Sequence, residues 1–135
     1  MDIFDAMGVS ASGMDAQSLR LRVIAENIAN VDTTGSTPGA DPYRRKTITF
    51  GETIDHATGE PSVNVKTIGK DMAAFPTRYD PSHPAADAAG YVKTPNVSSF
   101  VEMMDMREAE RSYSANLNVM QATRSMMTRA IDLLK

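Results

Sequence analysis

Apolar residues recur at seven-residue intervals in the last third of the chain. The first row consists of Met106, Tyr113, Met120, Met127 and Leu134, and a second row of Met103, Leu117 and Ile131. Because seven residues complete two helical turns, both rows fall on one side of a helix, in the register of a coiled coil. The run contains no Pro or Gly after Pro95, and Ser99 with Glu102 is typical of a capping box. The pattern predicts one long C-terminal helix within residues 96–135.

Two charged residues change what this helix is expected to contact. Glu110 and Arg124 occupy positions of the second row between its apolar members. A dry interface between two helices does not accommodate unpaired charges. We therefore expect the C-terminal helix to contact more than one partner.

A similar row opens the chain. It consists of Met7, Met14, Leu21 and Ile28, flanked by Ile24 and Val31. This row predicts a second amphipathic helix that starts at about Phe4 or Ser10 and ends at Asn30. Residues 32–39 read DTTGSTPG, a dense cluster of turn formers that terminates the helix.

Helical periodicity disappears between the two helices. This part holds all seven prolines of the chain, and alternating apolar residues at 44–50 and 62–68 predict short strands. Residues 91–93 form a candidate third strand, and residues 79–82 read as a turn. The sequence thus predicts a mainly α fold with a small β-rich or irregular insert. Its divisions are an N-terminal helix over 1–32, an outer module over 33–95 and a C-terminal helix over 96–135.

Both terminal rows are candidates for contacts between molecules. The helices can pair as a coiled-coil hairpin, either closing a self-contained monomer or packing also on neighbouring molecules. The helices differ in length, so part of the longer apolar stripe stays uncovered, and such stripes mark interaction surfaces. We therefore expect a subunit interface that contains Met7, Met14, Leu21, Ile24, Ile28, Val31, Met103, Met106, Tyr113, Leu117, Met120, Met127, Ile131 and Leu134.

Composition narrows the classes of partner. The net charge of −3 gives no basic surface for nucleic acid. No apolar run is long enough to span a bilayer, so direct membrane insertion is not expected. The chain has no Cys, which excludes disulfides and thiolate chemistry.

The spacing of the polar residues gives little indication of a catalytic site. Asp80, His83 and Asp87, with His56 elsewhere, are the best candidates for a metal or acid–base site. However, Asp80-Pro81 and His83-Pro84 describe a rigid turn equally well. No nucleophile–base pair or glycine-rich phosphate loop is recognisable. We expect no catalytic, cofactor-binding or metal site.

Short motifs of a known family occur along nearly the whole chain. Residues 22–34 read RVIAENIANVDTT, and they resemble the N-terminal motif of flagellar axial proteins. The similarity continues in unbroken order through 42–46 (PYRRK), 79–84 (YDPSHP), 90–92, 95–97, 102–103 and 109–116. Together these segments resemble the rod proteins of the bacterial flagellum, and the proximal rod proteins most closely. The sequence departs only modestly from the family pattern, at Ala85, Ala88 and Ala89.

The resemblance implies a structural subunit of the basal-body rod in the periplasm, not an enzyme. It implies a helical assembly with itself, with other rod proteins, and at its ends with a rod-base adaptor and the distal rod. It also implies transmission of torque from motor to hook, and export by the flagellar type III apparatus. The alternative is a soluble helical adaptor or an export chaperone, which shares the amphipathic helices.

Four polar residues match positions of the family. Asn27 and Asn116 are expected to form hydrogen bonds between helices and fix their register, or else to lie on solvated faces. Asn30 is expected to cap the first helix. Arg111 can pair with Glu108 one turn earlier, or with a carboxylate of another subunit.

Overall fold

The computed structural model describes residues 3–54, 59 and 61–134. The chain contains two helices, α1 (Ile3–Ala29) and α2 (Ser99–Asp132), and four strands lie between them in the sequence. The strands are β1 (Lys46–Ile54), β2 (Pro61–Lys70), β3 (Thr77–Tyr79) and β4 (Tyr91–Lys93). The predicted mainly α class with a small strand module between terminal helices is confirmed. Within the described residues, no helix combines the length and apolarity needed to cross a membrane.

The strands form separate two-stranded sheets, β1 with β2 and β3 with β4. In the second sheet the strands are antiparallel, with Tyr79 opposite Tyr91 and their ring centroids 5.3 Å apart. Gly90 has a φ of +84°, and a Cβ there would lie 2.9 Å from the Tyr79 ring, so this turn requires glycine. Strand β3 was not predicted, because its last residue, Tyr79, was assigned to the turn over residues 79–82.

By contacts, the chain divides into two compact units. Unit 1 combines the described residues of 1–21, 49–67 and 107–135, and unit 2 combines 22–48 and 68–106. Each unit therefore takes residues from both helices and from the segment between them.

In unit 1, the helices run antiparallel. Arg20 Nη2 donates to Glu108 Oε2 at 3.3 Å, and further along, Gly13 faces Asn116. A Cβ at Gly13 would lie 2.8 Å from Asn116 Nδ2, so the missing side chain lets the helices approach closely here. Buried Ala16 and Ala109 line the same unit.

The side of α2 that is turned inward differs from the predicted one. Apart from the half-buried Asp105 and Ser112, its buried and half-buried positions are Glu102, Met106, Ala109, Tyr113, Asn116, Met120, Thr123 and Met127. They are spaced alternately by four and three residues, so the first predicted row faces inward up to Met127. The second inward row, however, consists of the small or polar residues Glu102, Ala109, Asn116 and Thr123. The predicted members Met103, Leu117 and Ile131 are instead 53%, 38% and 55% exposed. Leu134 lies beyond the helix end and is 88% exposed.

The predicted apolar row of α1 is only partly covered. Ile24 is buried, at 4% exposure, whereas Met7, Met14, Leu21, Ile28 and Val31 are half-buried. In unit 2, Val23, Ala85 and Val92 are also buried, and so are the polar side chains of Asn27 and Glu102. Glu102 is the largest fully buried side chain among the described residues. A buried carboxylate of this kind needs hydrogen-bonding or charged partners.

Candidate functional site

Glu102 is the centre of a buried hydrogen-bonded cluster in unit 2, here called the polar junction and formed with Asn27, Tyr43, Arg45 and Lys46. Arg45 Nε donates to Glu102 Oε1 at 2.6 Å, and Asn27 Nδ2 donates to Oε2 at 3.2 Å. Both carboxylate oxygens are thus engaged by groups from other segments. The predicted capping box is wrong, because the carboxylate is directed to these groups, although α2 begins at Ser99 as expected.

Asn27 connects α1 to both of the other segments in the junction. Its Nδ2 donates to Glu102 and also to Lys46 O at 2.9 Å. Its Oδ1 accepts from Tyr43 Oη and from Lys46 N, each at 2.9 Å. An asparagine amide offers two donors and two acceptor sites, so every one of them is used. The predicted role in fixing register remains a prediction, and this geometry suits it.

Arg45 holds the segment after Pro42 against α2. Its Nη2 lies 3.4 Å from Asp105 Oδ2 and its Nη1 lies 3.9 Å from Asp71 Oδ2, in addition to the bond with Glu102. Its backbone N donates to Asn96 Oδ1, and its backbone O accepts from Asp71 N, both at 2.9 Å. One guanidinium therefore links three carboxylates, because its planar group carries several N–H donors in fixed directions.

Two titratable groups in the junction are shifted towards their protonated forms. Burial raises the pKa of the Tyr43 hydroxyl, which donates a hydrogen bond to Asn27 Oδ1. The hydrogen bond from Lys46 Nζ to Glu26 Oε2, at 2.7 Å, raises the pKa of the Lys46 ammonium. At the edge of the same unit, the hydrogen bond from Lys93 lowers the pKa of Asp41.

Asn30, Asn116 and Arg111 lie outside the junction. Asn30 Nδ2 donates to Glu26 O at 2.8 Å, and Thr33 Oγ1 donates to Asn30 Oδ1, so Asn30 caps the end of α1. Asn116 packs against Gly13 in unit 1. Arg111 is exposed on α2.

The candidate metal residues form turns. His83 N and Ser82 Oγ donate to the oxygens of Asp80, and Asp87 Oδ1 accepts from Ala89 N and Tyr91 N. His83 Nδ1 accepts from Ala85 N at 3.0 Å, so its Nε2 carries the proton and can donate to Thr34 Oγ1 at 3.2 Å. His56 lies outside the described residues.

Because both ring nitrogens of His83 are engaged, Zn²⁺ or Ni²⁺ should not change the melting temperature of the protein. His83→Ala should lower the free energy of unfolding by about 1 kcal/mol through the lost hydrogen bonds. Scanning calorimetry with and without metal measures both effects, and His83→Asn, which keeps a polar side chain, is the matched variant. A metal-dependent rise in melting temperature that His83→Ala removes would show that the turn binds metal.

Exposed apolar side chains are concentrated on α2 and its end. They are Phe100, Val101, Met103, Met104, Leu117, Val119, Met126, Ile131, Leu133 and Leu134. The set takes residues from both units and from several sides of the helix, and it is here called the outer face of α2. It includes all three members of the second predicted row. The sequence pattern predicted both rows on one side of the helix, whereas only the first row is turned inward. The assignment of the second row to a subunit interface remains a prediction.

Comparison with known proteins identifies the class to which this architecture belongs. Residues 7–37 match the family model described as flagella basal body rod protein. Residues 88–133 match the model described as flagellar basal body rod FlgEFG protein C-terminal. The first match covers most of α1 and the second covers all of α2. These matches show that the chain is a flagellar basal-body rod protein.

Similarity over the whole length defines the family more narrowly. The chain is 55% identical over 130 residues to the flagellar basal-body rod protein FlgC of Agrobacterium fabrum, which covers 96% of this chain and 94% of the relative. FlgC of Aquifex aeolicus is 39% identical over 137 residues, and FlgC of Borreliella burgdorferi is 37% identical over 153 residues. Each of these two alignments covers 100% of this chain and 99% of the relative. The chain belongs to the FlgC family, and it is a structural component of the flagellar basal body rather than an enzyme.

Proposed function

We propose that this rod subunit assembles helically through its terminal helices and carries torque from the motor to the hook. The outer face of α2 is the observation that supports the proposal, because so many exposed large apolar side chains on a small chain call for cover. The partners would be further copies and other rod proteins, with a rod-base adaptor and the distal rod at the two ends.

Helical assembly requires two different surfaces on each subunit. Contacts that join unlike surfaces and do not close into a ring generate a filament. We assign one surface to the outer face of α2 and the other to the half-buried apolar row of α1, with Met7, Met14 and Leu21 as members. Van der Waals contacts spread along helices suit a shaft, since no single contact must then transmit the whole load.

The finer organisation of the subunit is part of this proposal. Residues 1–32 and 96–135 would pair as a coiled-coil hairpin inside the rod, and residues 33–95 would form the outer module in the periplasm. The antiparallel contacts from Gly13 to Asn116 and from Arg20 to Glu108 support such a pairing. The chain would reach this site through the flagellar type III export apparatus.

Leu117→Asp tests the proposed interface. Leu117 is 38% exposed, so an aspartate there can remain hydrated in the free subunit. In an assembled rod the same charge would be buried without a partner, at a cost of several kcal/mol in each subunit. We expect export and helix content to stay normal, while basal bodies lack a rod and the cells do not swim.

Asn118→Asp is the control, because it places the same charge at the next exposed position of α2. Its cells should swim, as judged by motility assays and by electron microscopy of basal bodies. Normal rods in Leu117→Asp cells would show that this face of α2 is not a subunit contact.

A further inference from the structure

Methionine supplies all the sulfur of this chain. The sequence contains ten methionines and no cysteine. Hydrogen peroxide converts the thioether of methionine to a sulfoxide, and an oxidant in water reaches an exposed sulfur more readily than a covered one. The positions of the methionines in the fold therefore determine where oxidation acts on the protein.

The methionines of the described residues fall into two groups by exposure. The exposed group consists of Met72 at 80%, Met103 at 53%, Met104 at 58% and Met126 at 55%. The half-buried group consists of Met7, Met14, Met106, Met120 and Met127. Three of the half-buried methionines belong to the inward row of α2, so the packing of the subunit itself shields them.

Three members of the exposed group belong to the outer face of α2. In unit 1, Met126 lies one heptad after Val119 and one heptad before Leu133, which are 49% and 87% exposed. In unit 2, Met103 and Met104 are adjacent near the start of the helix. Oxidation of these three sulfurs would add polar groups to the surface that the proposed assembly covers.

The reaction changes the character of the side chain without changing its place. Hydrogen peroxide transfers one oxygen atom to the thioether sulfur, its O–O bond breaks, and water leaves. The sulfur is thereby oxidised by two electrons, and a flexible apolar side chain becomes a polar one. An exposed sulfoxide stays hydrated in the free subunit, which should remain folded. A contact that buries the same oxygen without a donor is weakened.

We propose that Met103, Met104 and Met126 are sites of reversible oxidation and that their sulfoxides keep a subunit out of the rod. A methionine sulfoxide reductase restores the thioether, because two thiols form a disulfide and the oxygen leaves as water. The proposal rests on the helical assembly and adds a chemical condition to it. Only subunits whose surface thioethers on α2 are reduced form the contact.

Peptide mass mapping tests which sulfurs react. The purified full-length chain is treated with hydrogen peroxide for increasing times, and the addition of one oxygen atom is followed at each methionine. We expect the four exposed methionines to oxidise at least about fivefold faster than the half-buried ones, with unchanged helix content by circular dichroism. Equal rates in the two groups, or a loss of helix as the exposed group reacts, would overturn the assignment.

Paired variants in cells test the effect on assembly. Met103→Gln with Met126→Gln introduces polar groups in place of two thioethers, whereas Met103→Leu with Met126→Leu keeps both positions apolar. We expect the glutamine pair to reduce the number of rods at least about tenfold and the leucine pair to leave it normal. Met72→Gln is the control at an exposed methionine outside α2, and its cells should swim.

The unaltered chain provides a readout without substitutions. Cells that build rods in dilute hydrogen peroxide are separated into basal bodies and free subunits, and sulfoxide is measured at Met103, Met104 and Met126. Its fraction should be at least about tenfold lower in basal bodies than in free subunits.

Three outcomes would overturn the proposal: equal sulfoxide fractions in the two pools, normal rods with the glutamine pair, or equal loss of rods with both pairs. Missing rods in Leu117→Asp cells together with normal rods in the glutamine pair would remove the oxidation step and leave the helical assembly intact. Normal rods in Leu117→Asp cells would instead remove the assembly contact on which the proposal rests.

Discussion

Glu102→Ala should lower the free energy of unfolding by about 3–5 kcal/mol, the range for breaking a buried ion pair by removing one partner. The variant leaves the Arg45 guanidinium, whose side chain is only 23% exposed, without its shortest contact. It also removes an acceptor from the fully buried amide of Asn27. Urea denaturation of the full chain, followed by circular dichroism, measures the loss.

Glu108→Ala is the matched control on the same helix. Glu108 is paired with Arg20 at 3.3 Å, but its side chain is 67% exposed. An exposed pair contributes only about 0–1 kcal/mol, so this variant should remain close to the parent protein. Glu102→Gln keeps an acceptor oxygen and should lie between the two alanine variants. Equal destabilisation by both alanine substitutions would contradict a special contribution of the polar junction.

Met120→Asp should destabilise the subunit itself, in contrast to a substitution on the outer face of α2. Met120 is half-buried on the inward side, one heptad from Tyr113 and from Met127. A carboxylate placed there loses part of its hydration, so we expect a loss of about 2–3 kcal/mol in the free energy of unfolding. Thermal denaturation of the purified chain measures this loss, and cells that carry the variant should not swim.

Gln121→Asp introduces the same charge at the adjacent exposed position and should change the melting temperature little. The comparison separates burial from charge. If Met120→Asp melts at the temperature of the parent protein, the inward row does not stabilise the subunit.

Periodicity predicted the helices well because helix formation depends on local pattern. The first row, from Met106 to Met127, lies inward, and α1 and α2 begin and end within a few residues of the expected positions. The second row was misplaced for a physical reason. A search for apolar residues selects Met103, Leu117 and Ile131, whereas close packing in this pair uses Ala109, Asn116 and Thr123, which are small or amide-bearing.

The polar junction could not be predicted from local pattern. Arg45 and Glu102 are separated by 57 positions, and nothing near either residue identifies the other. Glu102 also follows Ser99 at the spacing of a capping box, and the sequence therefore predicted a local role for it at the start of α2. Its match to the family was the available signal.

The spacing of the junction along the chain determines when it can form. Asn27 lies 75 positions before the carboxylate that it binds, while Tyr43 and Lys46 follow it by only 16 and 19 positions. A nascent chain of 100 residues can therefore bring Asn27 to Tyr43 and to the backbone of Lys46, but Arg45 still lacks its shortest partner, Glu102. Contacts between such distant residues form slowly, because the entropy of closing a long loop is lost before they are made. The polar junction can therefore be completed only after the first turn of α2, which carries Glu102, has been synthesised.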